Sequence, residues 1–150
     1  MPINLNLATA KDAKKLADFM SLALKQDEGV NLDTKEAQIS LEDSIKSGDQ
    51  VYFIQEGEQI KALIPIGIEN NQATIFNFLS SKDFESKEII EALIKELKQI
   101  NLESVSILLN TKNKKLNLFK SSGFSETSIE LSYNLGGKII EDDTSTDEEE

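Results

Sequence analysis

The sequence predicts a mixed α/β fold, with about six strands in one sheet and helices on both faces. Three observations predict it. Segments with strand-like and helix-like periodicity follow one another in the order β-α-α-β-β-β-α-β-α-β. Strands come consecutively in the middle and alternate with helices later, which implies a mixed sheet. The longer helical segments each carry one apolar face, so each needs a sheet face to cover.

Ile3-Asn4-Leu5-Asn6-Leu7 alternates apolar and polar residues, as a half-buried strand does. Thr9 is placed to cap the next helix, with Asp12 at the capping-box position. Ala13, Leu16, Ala17, Met20, Leu22 and Leu24 form that helix's apolar face, and Gly29 offers a positive-φ stop. Asp33 or Thr34 caps a second helix running to Ser47 and closed by Gly48, with Ala37, Ile39, Leu41 and Ile45 apolar. Strands at 51–55 and 60–68, joined through Glu56-Gly57-Glu58, form a hairpin. Pro65 lies inside the second strand and requires an edge or a bulge.

Glu69-Asn70-Asn71 turns the chain into its organising unit, a strand–turn–helix from Ala73 to Ile100. The strand reads Ala73-Thr74-Ile75-Phe76-Asn77-Phe78-Leu79. The turn is Ser80-Ser81-Lys82-Asp83, with the two serines as N-cap candidates. The helix carries Phe84, Ile89, Ile90, Leu93, Ile94, Leu97 and Ile100 at helical spacing. A buried strand follows at 104–109 and a short helix at 114–122, ended by Gly123. Thr127 to Leu135 alternates as a last strand. Residues 1–137 are expected to form one α/β domain, and 138–150 a disordered acidic tail.

Composition excludes several chemistries. The 150 residues contain no Cys and no His, which removes disulfides, thiolate and imidazole metal sites, and Ser-His or Cys-His nucleophiles. All 16 basic residues are Lys, so phosphate would be held by Lys and backbone amides rather than by Arg. No metal site is expected. The net charge is −11; the last ten residues hold seven acids, which leaves 20 acids against 16 Lys, a net of −4, in residues 1–140. This balance argues against nucleic acid and against anionic membranes. Met1 to Leu7 has no basic, long-apolar signal pattern, and no apolar run approaches the ~20 residues of a membrane span. The expected location is cytoplasmic. The expected partner is another protein or a small molecule of unidentified class, and a homodimer is compatible with the sequence.

The element order, read with three stretches, resembles the GNAT-family N-acetyltransferases over about residues 3–135. The stretches are Leu5-Asn6-Leu7-Ala8-Thr9-Ala10-Lys11-Asp12-Ala13, the strand–turn–helix around 73–97, and Leu118-Phe119-Lys120-Ser121-Ser122-Gly123-Phe124. The resemblance implies an acyl-CoA N-acyltransferase-like fold. It also implies acetyl-CoA as cosubstrate, its pyrophosphate held by amides of a Gly-rich turn at the helix start. The corresponding positions here are Phe78, Leu79, Ser80, Glu85, Ser86, Lys87, Glu88, Ile89, Ile90 and Asn113.

Those positions depart from the family pattern. The basic residue falls on Glu85, and the two glycines fall on Glu88 and Ile90. Two carboxylates there repel a pyrophosphate, while each stabilises a helix N-terminus by about 0.3–1 kcal/mol. Lys82 and Lys87 supply some positive charge. The general-base carboxylate falls on Asn77, which cannot take a proton, and the general-acid tyrosine falls on Phe119. The family's asparagine falls on Lys112, with Asn113 one residue away.

Bland roles exist for the same residues. Glu85 and Glu88 suit a solvated first helical turn. Asn77 is either a cleft-lining polar group or a satisfied sheet or bulge residue. Tyr52 and Tyr133 are proton donors or ordinary structural phenols. Ser80 and Ser81 cradle an oxyanion or cap the helix. Two functions stay open, with a third in which the resemblance ends at the fold. One is a binding or regulatory module that has lost acetyl-CoA-dependent catalysis and needs no cofactor, a pseudoenzyme, which the residue chemistry favours. The other is an active N-acetyltransferase moving an acetyl group from acetyl-CoA to an amine, with amides near Phe78–Ser80 stabilising the oxyanion. An open cleft beside the organising strand favours the enzyme. A cleft filled by Ile90 or crossed by Glu88 favours the module.

Overall fold

The structure is a computed structural model that describes residues 3–109, 113–127, 131–133 and 135–136. Its elements in chain order are β1 (Asn6–Leu7), a 3-10 turn (Ala10–Asp12), α1 (Ala13–Glu28), α2 (Thr34–Lys46), β2 (Gln50–Glu56), β3 (Gln59–Glu69), β4 (Gln72–Ile75), β5 (Leu79–Ser80), α3 (Ser86–Gln99), β6 (Ser104–Ile107) and α4 (Leu116–Ser121). The six-stranded sheet runs β1-β2-β3-β4-β6, and β5 pairs with β3. Among the described residues only the β4–β6 pairing is parallel. This is the expected mixed α/β sandwich.

Strand alternation sorts the apolar residues into two cores. Val51, Phe53 and Leu63 face α1 and α2, where Ala13, Leu16, Ala17, Leu24, Ala37 and Leu41 meet them. Tyr52, Ile54, Ala62, Ile64, Ile66, Ala73 and Ile75 face the other way, onto Ile89, Ile90, Leu93 and Leu97 of α3 and Phe119 of α4. Each such Leu or Ile, fully buried, contributes about 1.5–3 kcal/mol.

The punctuation follows the local chemistry. The Thr9 N–H donates to Asp12 Oδ2 at 2.8 Å, as a capping box requires. Burial alone would raise the Asp12 carboxyl pKa; bonds from Thr9 and Lys15 outweigh it and hold it below the usual range. Asp33 caps α2, accepting from the Glu36 N–H at 2.7 Å. Gly29 ends α1 in the left-handed region, at φ 67°. Asn70 and Asn71, both at positive φ, close the β3–β4 hairpin as a two-residue turn.

Several boundaries differ from expectation. β1 keeps only Asn6–Leu7 of the predicted strand, although Ile3 and Leu5 still pack on the α3 core. α3 begins at Ser86 with Glu85 as N-cap, not at Phe84, so Ser80 and Ser81 do not cap it. Phe84 instead closes a turn, its N–H donating to the Ser81 carbonyl at 3.1 Å. Of the expected last strand, residues 128–130 and 134 lie outside the described residues, and the described remainder is in no strand. The acidic tail, 138–150, lies outside them too. No helix among the described residues is long and apolar enough to cross a membrane.

Candidate functional site

The predicted strand 73–79 is not continuous. It divides into β4 and β5, and the division builds the candidate site. Ile66 faces Ile75 across the β3–β4 ladder, and Leu63 faces Leu79 across the β3–β5 ladder. Phe76, Asn77 and Phe78 therefore stand opposite only Ile64 and Pro65, so one extra residue is inserted as in a β-bulge.

Pro65 is the local cause. It lies in a strand paired on both sides. Its carbonyl accepts from the Phe76 N–H at 2.9 Å, so its polar edge faces the organising strand. The N–H that proline lacks is thus missing on that side. Nearby, the far end of the Phe76 ring lies against Gly67: a Cβ at Gly67 would come 2.5 Å from its Cζ.

The extra residue shifts the side-chain phase. Ile75 and Phe78 both enter the α3 core, and Leu79 enters the α1 core. Without the shift, Asn77 would stand where Phe78 now stands. It is half-buried instead, and its Oδ1 accepts from the Phe78 N–H at 2.9 Å. Of its two expected roles, Asn77 takes that of a bulge residue with its acceptor committed.

Beyond Ile75–Ile107 the parallel ladder stops, and the sheet opens between the bulge and the end of β6. Lys115 reaches this end of the sheet. Its Nζ donates to the Phe78 carbonyl at 2.5 Å and stands 3.7 Å from Asp27 Oδ2 at the end of α1. It also lies 5.9 Å from the centre of the Phe78 ring. Neither Ile90 nor Glu88 crosses the split. Ile90 is fully buried in the α3 core, and Glu88 is exposed.

The remaining site residues have defined places. Phe119 is 2 % exposed and stacks edge-on between Phe78 (5.3 Å between centroids) and Phe124 (5.1 Å). A tyrosine hydroxyl there would need a partner within that aromatic stack. Asn113 Oδ1 accepts from the Lys115 N–H at 2.8 Å, which shapes the entry to α4; Lys112 lies outside the described residues. Tyr52 donates its hydroxyl to Gln50 Oε1 at 2.7 Å, and burial, then Glu96, pushes its phenol pKa up. Tyr133 is exposed.

The turn before α3 is tied to itself. The Ser80 and Ser86 hydroxyls are 3.2 Å apart. Asp83 accepts from the Ser81 hydroxyl and from Lys61 Nζ, the latter at 2.9 Å. Those two bonds hold the Asp83 carboxyl below the usual carboxylate range. Glu85 and Lys87 are exposed, Ser86 is half-buried and Ile89 is in the core. The Glu85 side chain at the α3 N-cap makes no cap bond. Among the described residues, no group of three or more His, Cys, Asp or Glu could hold a metal ion.

Sequence reasoning missed Lys115 and Asp27. Their partners are 37 residues away for the Lys115–Phe78 bond, and nothing local signals it. Pro65 was the available signal for the bulge.

No protein-family model matches the sequence, and neither does any curated protein. Solved structures do match. A "possible acetyltransferase" from Clostridium difficile 630 superposes with a TM-score of 0.71 at 17% identity, over 89% of this chain and 97% of that one. The PaiA N-acetyltransferase of Thermoplasma acidophilum, in complex with coenzyme A, gives 0.70 at 13% identity, over 87% and 94%. A GNAT family acetyltransferase from Staphylococcus aureus gives 0.67 at 15%, over 90% and 100%. Likeness at these identities establishes a shared fold.

Proposed function

We propose that this chain, which has the fold of the GNAT acetyltransferases, is a binding or regulatory module that has given up acetyl-CoA-dependent catalysis. The observation that carries this reading is the Phe78 N–H, already donated to Asn77 Oδ1 at the bulge. Stabilising a tetrahedral oxyanion needs amides that are free and aimed at it before reaction. The amide at the bulge of the organising strand is committed to a neighbouring side chain instead.

The surrounding chemistry agrees. Asn77 replaces a carboxylate base and cannot accept a proton. Phe119 lacks the hydroxyl of a general acid, and it is packed as a core residue. The turn before α3 has no glycine, and Glu85 and Glu88 present negative charge where a pyrophosphate would sit. The module's partner is a protein or small molecule met in the cytoplasm.

An active N-acetyltransferase working on an amine is the second reading. It draws on the N-terminus of α3, where the Glu85 side chain makes no cap bond, on the place of Ile90 and Glu88, neither of which crosses the cleft, and on the likeness to a coenzyme A complex. Calorimetry with acetyl-CoA and with CoA, at low and at physiological salt, separates the two. No heat up to millimolar ligand is expected. Saturable binding in the micromolar range would overturn the module and restore the transferase.

A further inference from the structure

We infer that two copies of this chain pair by exchanging their C-terminal stretches: residues 127–135 of each copy add as a strand to the β6 edge of the other. Among the described residues β6 ends the sheet, with β4 on one side and no strand on the other. Such an edge is a row of unpaired N–H and C=O groups that templates one more strand. A groove of about 1130 Å³ lies against it, bordered by every residue from Ser104 to Leu109 and, from the helices, by Ile94 and Phe119. β6 has two unlike faces. Val105, Ile107 and Leu109 pack against the α3 core, whereas Ser104 and Ser106 are exposed on the other face. The 127–135 stretch repeats that division, with Ile129, Leu131, Tyr133 and Leu135 alternating with polar residues. Laid beside β6, its apolar residues extend the α3 core and its polar residues continue the serine face. A slip of one residue would put every apolar side chain on the wrong face, so the match fixes which face turns inward.

Within one chain the stretch does not serve its own edge. Leu131, Tyr133 and Leu135 are 88%, 83% and 92% exposed. Alternation sets these three apolar side chains on one face, and a face of that kind in water marks a surface that another surface covers. Ser132 borders the groove, and alternation turns Leu131 and Tyr133 away from what Ser132 faces. Ser122 to Thr127 border the groove as well. The chain's own connection therefore stands at the rim and leaves the space beside β6 open. A second copy of the same stretch brings the matching pattern into that space and buries the exposed face. The stretch carries one charge, Glu130, so little charge has to leave water with it. Two-fold symmetry fills both grooves with the same pair of surfaces, which closes the assembly at two copies. The exchange is indifferent to whether acetyl-CoA binds, because it uses the far edge of the sheet.

The test uses the full chain, in which any introduced cysteine is the only thiol of its kind because the sequence has none. Light scattering from low to high micromolar protein is expected to give the mass of two chains. Leu131→Glu combined with Tyr133→Glu is expected to give the mass of one chain, with the circular dichroism of the wild type. Ser104→Cys or Ser106→Cys is next combined with Ser132→Cys and oxidised, because a disulfide forms only between Cα atoms within about 7 Å. A covalent dimer is expected on a denaturing gel. Co-refolding Ser106→Cys with Ser132→Cys, each as a single variant, should likewise join the two chains to each other. A monomer at every concentration would overturn the exchange. So would a disulfide closed within one chain, which would put the stretch on its own β6 edge. A dimer that survives Leu131→Glu with Tyr133→Glu, or one in which neither cysteine pair links two chains, would put the interface elsewhere and overturn the exchange too.

Discussion

The β2–β3 hairpin and the β4–β6 pair belong to one sheet and behave differently. The hairpin runs from Gln50↔Ile66 to Glu56↔Gln59, with a single shift near its turn, and its central residues are buried on both faces. The β4–β6 pair holds register over four residues, Gln72↔Ser104 to Ile75↔Ile107, and then ends. Composition does not separate them, since Phe76, Phe78 and Leu79 are as apolar as Phe53 and Ile54. The missing donor of Pro65 and the Phe76 ring over Gly67 do. The bulge lies on the β3 side of the organising strand, which regains pairing through β5, and the β4–β6 ladder on its other side ends at the same level, Ile75↔Ile107.

The comparison is broken most severely from the hairpin side. Leu63 is fully buried between β3 and the α1 core, so Leu63→Ala should cost about 2–5 kcal/mol, read as a lower midpoint in denaturant unfolding. A loss below that span would show that the hairpin half is no more tightly packed than the split.

The bulge gives a smaller effect. Gly67→Ala places a Cβ 2.5 Å from the Phe76 ring, and that ring, 57% exposed, can swing outward. The expected cost is about 1–3 kcal/mol, and Gly67→Ala with Phe76→Ala should recover most of it. Additive losses in the double variant would place the strain elsewhere.

The smallest effect is electrostatic and belongs to the β1–α1 corner. The Asp12 carboxyl has a lower pKa folded than unfolded. Its contribution is therefore complete above the unfolded value and is lost as pH falls through the folded one. Unfolding from neutral pH down through the carboxylate range should show this loss, and Asp12→Asn should flatten that part of the curve. An identical pH profile in the variant would remove Asp12 from the account.

Much of the fold was legible because its signals are local. Gly29, Asp33 and the Asn70-Asn71 turn mark element ends through φ preferences and capping that act within a few residues. The helical spacing of Ile89, Ile90, Leu93 and Leu97 identified the core face of α3. The candidate site was legible only in part. Asn77, Phe119, Glu85 and Glu88 could be named as departures from a pattern, and Pro65 as a residue that demands a bulge somewhere.

What the sequence determined by itself is the order of elements, the two apolar faces that make a two-sided sandwich, and the absence of thiol and imidazole chemistry. Each follows from residue type or from a short repeat. Tertiary structure alone decided that strand 73–79 breaks after Ile75, that Phe78 rather than Asn77 enters the core, and that Lys115 reaches Phe78 and Asp27. Those outcomes depend on which strand lies opposite Pro65 and on which helix lies across the split. Such contacts join residues tens of positions apart, and no local periodicity encodes them.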